Sequence, residues 1–227
     1  MMQLVCLDMA GTTVHDDGSV LAAFGAALAG LGLEPGTPAY SRAEDHARAT
    51  MGQSKIEVFR SLTGGDEALA RRANGMFEDA YARSLADGGA AEVPGAAEAL
   101  ARLRDAGVKV ALTTGFAPAT RDALIDALGW RGAIDLALSP VDAGRGRPFP
   151  DMILAAVLRL GVDDVAAVAV AGDTASDLLA GSRAGAGVVA GVLTGAHGPA
   201  EFADVPHTHV LNSVAELPAL VTAGVAA

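Results

Sequence analysis

Six short apolar runs, each brief enough for a strand and each separated from the next by room for a helix, constrain this chain more than any other feature. They are Leu4–Asp8, Val108–Thr113, Leu136–Ser139, Val165–Ala171, Gly187–Leu193 and a weaker His209–Leu211. Between them, Ala96–Ala106, Pro118–Leu128, Pro150–Leu160 and Ser176–Ala184 carry small and apolar residues at helical spacing. Gly107, Gly129, Gly161 and Gly185 follow those stretches, where helices commonly end. Strands and helices in alternation predict a doubly wound α/β core on a parallel sheet.

The first gap breaks the rhythm. From Val14 to Val93 no strand pattern occurs, and helical patterns cover Val20–Leu31, Ala39–Met51, Lys55–Leu62 and Asp66–Leu85. Gly- and Pro-rich joints separate them, as at Gly32 to Gly36, Gly64-Gly65 and Gly88-Gly89. The expected organisation is an α/β core domain of residues 1–15 and 94–227, with an all-helical cap domain of residues 16–93 inserted into it. Two linkers crossing between lobes make a hinge suited to gating a site at the strand ends. A helical decoration that never moves fits the same pattern.

Composition removes several classes of function. Acidic residues outnumber basic ones 27 to 16, for a formal charge of −11, and no basic stripe occurs; nucleic-acid binding needs the opposite. The longest apolar stretch, Val165–Ala171, is far short of the ~20 residues of a membrane span. The N-terminus runs straight into a strand pattern without a basic leader. The one cysteine, Cys6, excludes an internal disulfide and reads as a core side chain. A cytoplasmic setting is expected. His197, His207 and His209 lack a zinc pattern and read as surface residues.

In an open parallel sheet, reactive groups gather where strands end. Here the first strand runs into Asp8-Met9-Ala10-Gly11-Thr12-Thr13 and the second into Thr113-Thr114-Gly115. A loop carries Gly146-Arg147-Pro148-Phe149-Pro150, and the fourth run ends in Gly172-Asp173-Thr174-Ala175-Ser176-Asp177. Four such fragments, in this order and with a helical insertion after the first, resemble the haloacid dehalogenase superfamily over the whole chain. The resemblance implies a haloacid dehalogenase-like core with a cap, and transfer of phosphorus to an aspartate. Asp8 is then the nucleophile. Asp173, Asp177, Asp8 and the backbone carbonyl of Ala10 are the expected Mg²⁺ ligands. Thr114, Gly115, Gly11 and Thr12 surround the phosphoryl group, and Arg147 supplies positive charge where the family more often has lysine. An acyl phosphate on a carboxylate is sound chemistry once cations quiet the repulsion between the two anions.

Ala10 departs from the superfamily's phosphatases, which carry a second aspartate there to protonate the leaving group. Three readings stay open: a slow or inactive phosphatase, a different general acid, or a leaving group that needs no proton from this position. The third resembles the phosphonoacetaldehyde hydrolase branch, which shares Asp-x-Ala-Gly-Thr-Thr, Thr-Thr-Gly, Gly-Arg-Pro-x-Pro and Gly-Asp-Thr-x-Ser-Asp with this chain. In that branch a cap lysine forms an imine with an aldehyde substrate, and the C–P bond breaks to an enamine. Lys55, in Met51-Gly52-Gln53-Ser54-Lys55-Ile56, matches that lysine's setting, with Met51 as substrate wall or cap core; Lys109 is the only other lysine. An ordinary solvated helix lysine, or a phosphate contact, is the other reading of Lys55. The branch's histidine, cysteine and tyrosine are replaced by Val58, a position near Gly18, and Phe116. Expected partners are a small phosphonate or phosphate substrate and a second copy of the chain, the latter through the apolar face of Val20–Leu31. A phosphomonoesterase of the same fold and a non-catalytic binding protein are the rival functions.

Overall fold

The computed structural model describes residues 1–222; the last part of the expected core domain, 223–227, lies outside them. The elements in order are β1 Leu4–Asp8, α1 Ser19–Gly30, α2 Pro38–Ala49, α3 Lys55–Leu62, α4 Glu67–Gly88, α5 Ala96–Asp105, β2 Lys109–Thr113 and α6 Pro118–Ala127. Then come β3 Leu136–Leu138, α7 Pro140–Ala143, α8 Asp151–Arg159, β4 Val168–Gly172, α9 Ala175–Ala184, β5 Val188–Val192, α10 Pro199–Ala203, β6 His209–Leu211 and α11 Leu217–Thr222.

All six strands pair in parallel, in the order β3-β2-β1-β4-β5-β6. The order reverses at β1, the place where doubly wound sheets open a crevice beyond their carboxyl ends. Register puts Asp8 beside Thr113 and Leu7 beside Ala171, so the acidic end of β1 lies between the loops that follow β2 and β4. Alternate residues of β1 serve opposite faces. Val5 and Leu7 join one apolar cluster with Leu100 and Leu103 of α5, while Leu4 and Cys6 join another with Met152 and Ile153 of α8. Burial pushes the Cys6 thiol up to about 12, which keeps it an inert core group as expected.

The expected strand at Val165–Ala171 starts late. Residues Val165–Ala167 form a 3₁₀ turn, because the Asp164 side chain accepts the Ala166 N–H at 2.8 Å and caps it. Helices α1 to α4 fill the interval after β1 and pack on one another around Phe24, Phe59 and Phe77, whose ring centroids lie 4.8 to 6.2 Å apart. The chain enters and leaves this helical group on adjacent strands of backbone: His15 N–H donates to Ala91 O and Val93 N–H to Thr13 O, at 2.8 and 2.9 Å. One apolar face of α1 packs inward. Val20, Ala23, Phe24, Ala27 and Leu28 are all buried within the chain, while Leu21, Ala22, Ala26 and Ala29 on the other side of the helix stay partly or fully exposed. No described helix is long and apolar enough to cross a membrane.

Candidate active site

The turn after β1 folds tightly. Met9 O accepts the N–H groups of Thr12, Thr13 and Val14, and Gly11 takes φ +84°, a conformation that suits glycine. A Cβ on Gly11 would stand 2.4 Å from Asp173 Oδ2, so the bare backbone also makes room for that carboxylate. Asp173 follows β4, and Asp177 sits in the first turn of α9. Thr174 and Asp177 cap each other there, the Thr174 N–H reaching Asp177 Oδ2 at 3.1 Å. Oxygens of Asp8, Asp173 and Asp177 lie within 4.8 Å of one another, all buried. Three carboxylates confined like this repel one another. Burial pushes Asp8 up to about 6, and Asp173 is raised well above the usual range by burial and then by Asp8 and Asp177.

Arg147 answers part of that charge. Its guanidinium contacts Asp177, and its Nη2 lies 2.6 Å from Asp8 Oδ1. Burial opposes its charge, but Asp177 and Asp8 more than offset this and its pKa is raised. The Nε and Nη2 atoms are buried without a well-aligned hydrogen-bond acceptor in the described protein, so the group keeps donors to spare. Three carboxylates crowded beside one guanidinium relieve their repulsion by keeping a proton or by sharing a cation, and hard oxygen donors so placed fit a divalent cation.

A small, partly open cavity of about 30 Å³ joins this cluster to the helical group. Asp8, Ala10, Thr114, Gly115 and Asp173 line it from the strand ends, and Met51, Gly52 and Lys55 from the other side. The cavity brings together residues 47 positions apart in sequence, Asp8 and Lys55. The Lys55 ammonium nitrogen stands 5.4, 5.8 and 5.6 Å from the ring centres of Phe24, Phe77 and Phe116, at cation–π distance. Burial, with Arg147 acting in the same direction, pulls its pKa down to about 8, while Asp8, Glu78 and Asp16 pull the other way. An ordinary solvated lysine is not what stands here. The turn before it is pressed close: Lys55 N–H donates to Gly115 O at 3.3 Å. Gly52, at φ +80°, is so near Thr174 that a Cβ would come 2.2 Å from its Oγ1, and a Cβ on Gly115 would come 2.3 Å from Gln53 O.

Some expected roles change. Thr12 and Gly11 do not have free donors for a phosphoryl group. The Thr12 hydroxyl donates to Asp173 Oδ1 at 3.2 Å and its N–H to Met9 O, while the Gly11 N–H donates to Val14 O at 2.8 Å; both residues position Asp173. Thr114 accepts the Phe116 N–H at 3.2 Å and so keeps its hydroxyl proton to give. Among the described residues the Gly115 N–H has no hydrogen-bond partner. Met51 is both core and wall, being buried while lining the cavity. His197, read as a surface residue, belongs to the site's edge: its N–H donates to Asp173 O at 3.1 Å, and its Nδ1 accepts the Ala175 N–H at 3.0 Å. Its place after Gly195 hinted at this. Nothing in the sequence spacing of Phe24 and Phe77 ties them to Lys55.

The family model of haloacid dehalogenase-like hydrolases matches residues 2–185, and the chain belongs to that family. It is 30% identical over 216 residues to phosphonoacetaldehyde hydrolase of Pseudomonas fluorescens (strain SBW25), covering 86% of this chain and 74% of that one. It is 32% identical to "Probable phosphatase IndB" of Dickeya dadantii, covering 87% of this chain and 84% of the relative. A phosphonoacetaldehyde hydrolase-like protein from Oleispira antarctica shares the fold, with TM-score 0.80 and 24% identity over 98% of this chain and 92% of that one.

Proposed function

We propose that this hydrolase cleaves the C–P bond of a small aldehyde-bearing phosphonate, with Asp8 as nucleophile and Lys55 as imine-forming amine. The observation that carries the reading is that Lys55, buried among three phenyl rings, shares one small cavity with Asp8. At pH 7 an amine of pKa about 8 is neutral in about one molecule in ten, against roughly one in three thousand for an ordinary lysine.

The Lys55 amine adds to the aldehyde and expels water, forming the iminium. An Asp8 oxygen attacks phosphorus; the C–P electron pair moves into the iminium and leaves an enamine. The enamine takes a proton at carbon and water releases the aldehyde product from Lys55, while a second water frees phosphate from Asp8. Such a leaving group needs no acid at Ala10. Arg147, Thr114 and the Gly115 N–H hold the phosphoryl oxygens. Asp8, Asp173, Asp177 and the Ala10 carbonyl would hold Mg²⁺, which lowers the repulsion between attacking carboxylate and phosphoryl group. Residues 16–93 act as the cap, and the setting is cytoplasmic.

Borohydride added with phosphonoacetaldehyde should trap a reduced adduct on Lys55, located by peptide mass spectrometry. No adduct, together with full turnover by Lys55→Arg, would overturn the imine. A phosphomonoesterase is the second reading, favoured by the relative bearing a phosphatase name. Turnover of phosphate esters with phosphonates inert would select it. Loss of all turnover in Asp8→Asn excludes a non-catalytic role.

A further inference from the structure

Helix α6 begins just after Thr113-Thr114-Gly115-Phe116, the loop that faces Asp8, and its start lacks the usual cap. Its N-cap residue is Ala117, which has no side-chain acceptor, and Pro118 opens the first turn. In a self-contained capping box, a Glu or Gln at the third helical position would accept the N-cap N–H. That position here is Thr120. The acceptor comes from the helical group instead: Glu78 of α4 takes the Ala117 N–H on Oε1 at 3.1 Å, and its Oε2 accepts the Thr120 hydroxyl. A carboxylate accepting two donors at a helix N-terminus gains from both charge and dipole.

The residue before Glu78 is Phe77, and the residue before Ala117 is Phe116. These are two of the three rings around Lys55. One contact therefore fixes the distance between the two elements that wall the lysine, and it fixes the loop bearing Thr114 and Gly115 as well. No helix-period argument singles out Glu78, which reads as a solvated residue of a long helix.

We infer that Glu78 is a positioning residue, a latch between α4 and the start of α6 that holds Lys55 enclosed over Asp8. The inference rests on the proposed cap-and-core function, but its test needs neither substrate nor an imine. Lys55 and Lys109 are the only lysines. Lys109 lies at the start of β2 with its ammonium on Leu160 O, so it serves as an internal reference.

The full chain is treated briefly with acetic anhydride at one fixed pH, and the acetylation of Lys55 relative to Lys109 is read by peptide mass spectrometry. Glu78→Ala should raise that ratio about tenfold, the shift in an opening equilibrium that follows loss of one charge-assisted hydrogen bond. Glu78→Gln keeps an oxygen for the Ala117 N–H, and its amide N–H can donate to the Thr120 hydroxyl oxygen where the carboxylate accepted, so it should stay near the wild-type ratio. A role through charge on Lys55 alone would make Gln as damaging as Ala, and that result overturns the latch. An unchanged ratio in Glu78→Ala overturns it too. Should Glu78→Ala fail to fold by circular dichroism, Thr120→Val is measured instead. It removes one of the two bonds and should raise the ratio about threefold; no rise refutes the inference. Borohydride trapping tests the imine separately, so either idea can fail alone.

Discussion

Lys55→Met should stabilise the folded protein at neutral pH while abolishing imine-dependent turnover. The folded chain holds the Lys55 proton with a pKa of about 8, against the ordinary 10.5 that applies once the chain unfolds. Between those values the unfolded state binds more protons than the folded state, so stability rises with pH across that window. Below about pH 8 the full cost of burying the ammonium is present. At pH 7 that cost is on the order of 3 kcal/mol, and by about pH 9.5 it has fallen to roughly 1. Contacts with the three rings return part of it, on the order of 1 kcal/mol. Methionine has a similar unbranched volume and no charge to desolvate. The variant should therefore exceed wild type by about 2 kcal/mol at pH 7, with the gap closing as pH rises. Urea denaturation with a chelator present, at about pH 7 and about pH 9.5, measures both gaps. Cys6, whose thiol is raised from 9.0 to about 12 on folding, also changes stability near pH 9, but equally in both proteins, so it cancels from the gap. A gap of equal size at both pH values, or a methionine variant less stable at both, would show that no buried ammonium is being relieved.

Arg147→Met leaves Asp8, Asp173 and Asp177 without their guanidinium partner and should cost about 3–5 kcal/mol in chelator. Millimolar Mg²⁺ should then raise its Tm more than it raises that of wild type, by calorimetry; an equal or smaller rise would mean the three acids do not share a cation. Gly52→Ala should cost about 1–3 kcal/mol and most of kcat, because the new methyl meets Thr174 as well as a positive φ. Gly64→Ala, at φ +63° with open space around it, isolates the backbone part, and equal losses in the two would leave the Gly52–Thr174 approach without consequence.

Much of the sheet was legible because each strand is a short apolar run bounded by turn residues. Leu4–Asp8 and His209–Leu211 fall where their patterns end, β2, β3 and β5 differ by a residue at one or both ends, and β4 gives up its first three expected residues to the turn capped by Asp164. Asp8, Arg147, Asp173 and Asp177 were legible as a group, since a parallel sheet carries successive strand ends to one edge. What could not be read was how donors are spent. Nothing in Gly11-Thr12 says that their N–H groups close a turn on Val14 and Met9, or that the Thr12 hydroxyl turns to Asp173. Nor does periodicity distinguish a phenylalanine that merely fills a helical core from Phe24 and Phe77, which also surround an amine. Such assignments depend on side-chain directions between elements far apart in sequence, and spacing carries no record of them.

The walls around Lys55 come from two separate stretches of chain, Phe24 and Phe77 from one and Phe116 from the other. With those stretches apart, the amine would meet water and keep its proton as an ordinary lysine does. Assembled, those walls lower its pKa to about 8 and leave a cavity of about 30 Å³ beside it. The lowered proton affinity of Lys55 and the small space beside it thus both depend on one packing event between distant parts of the chain.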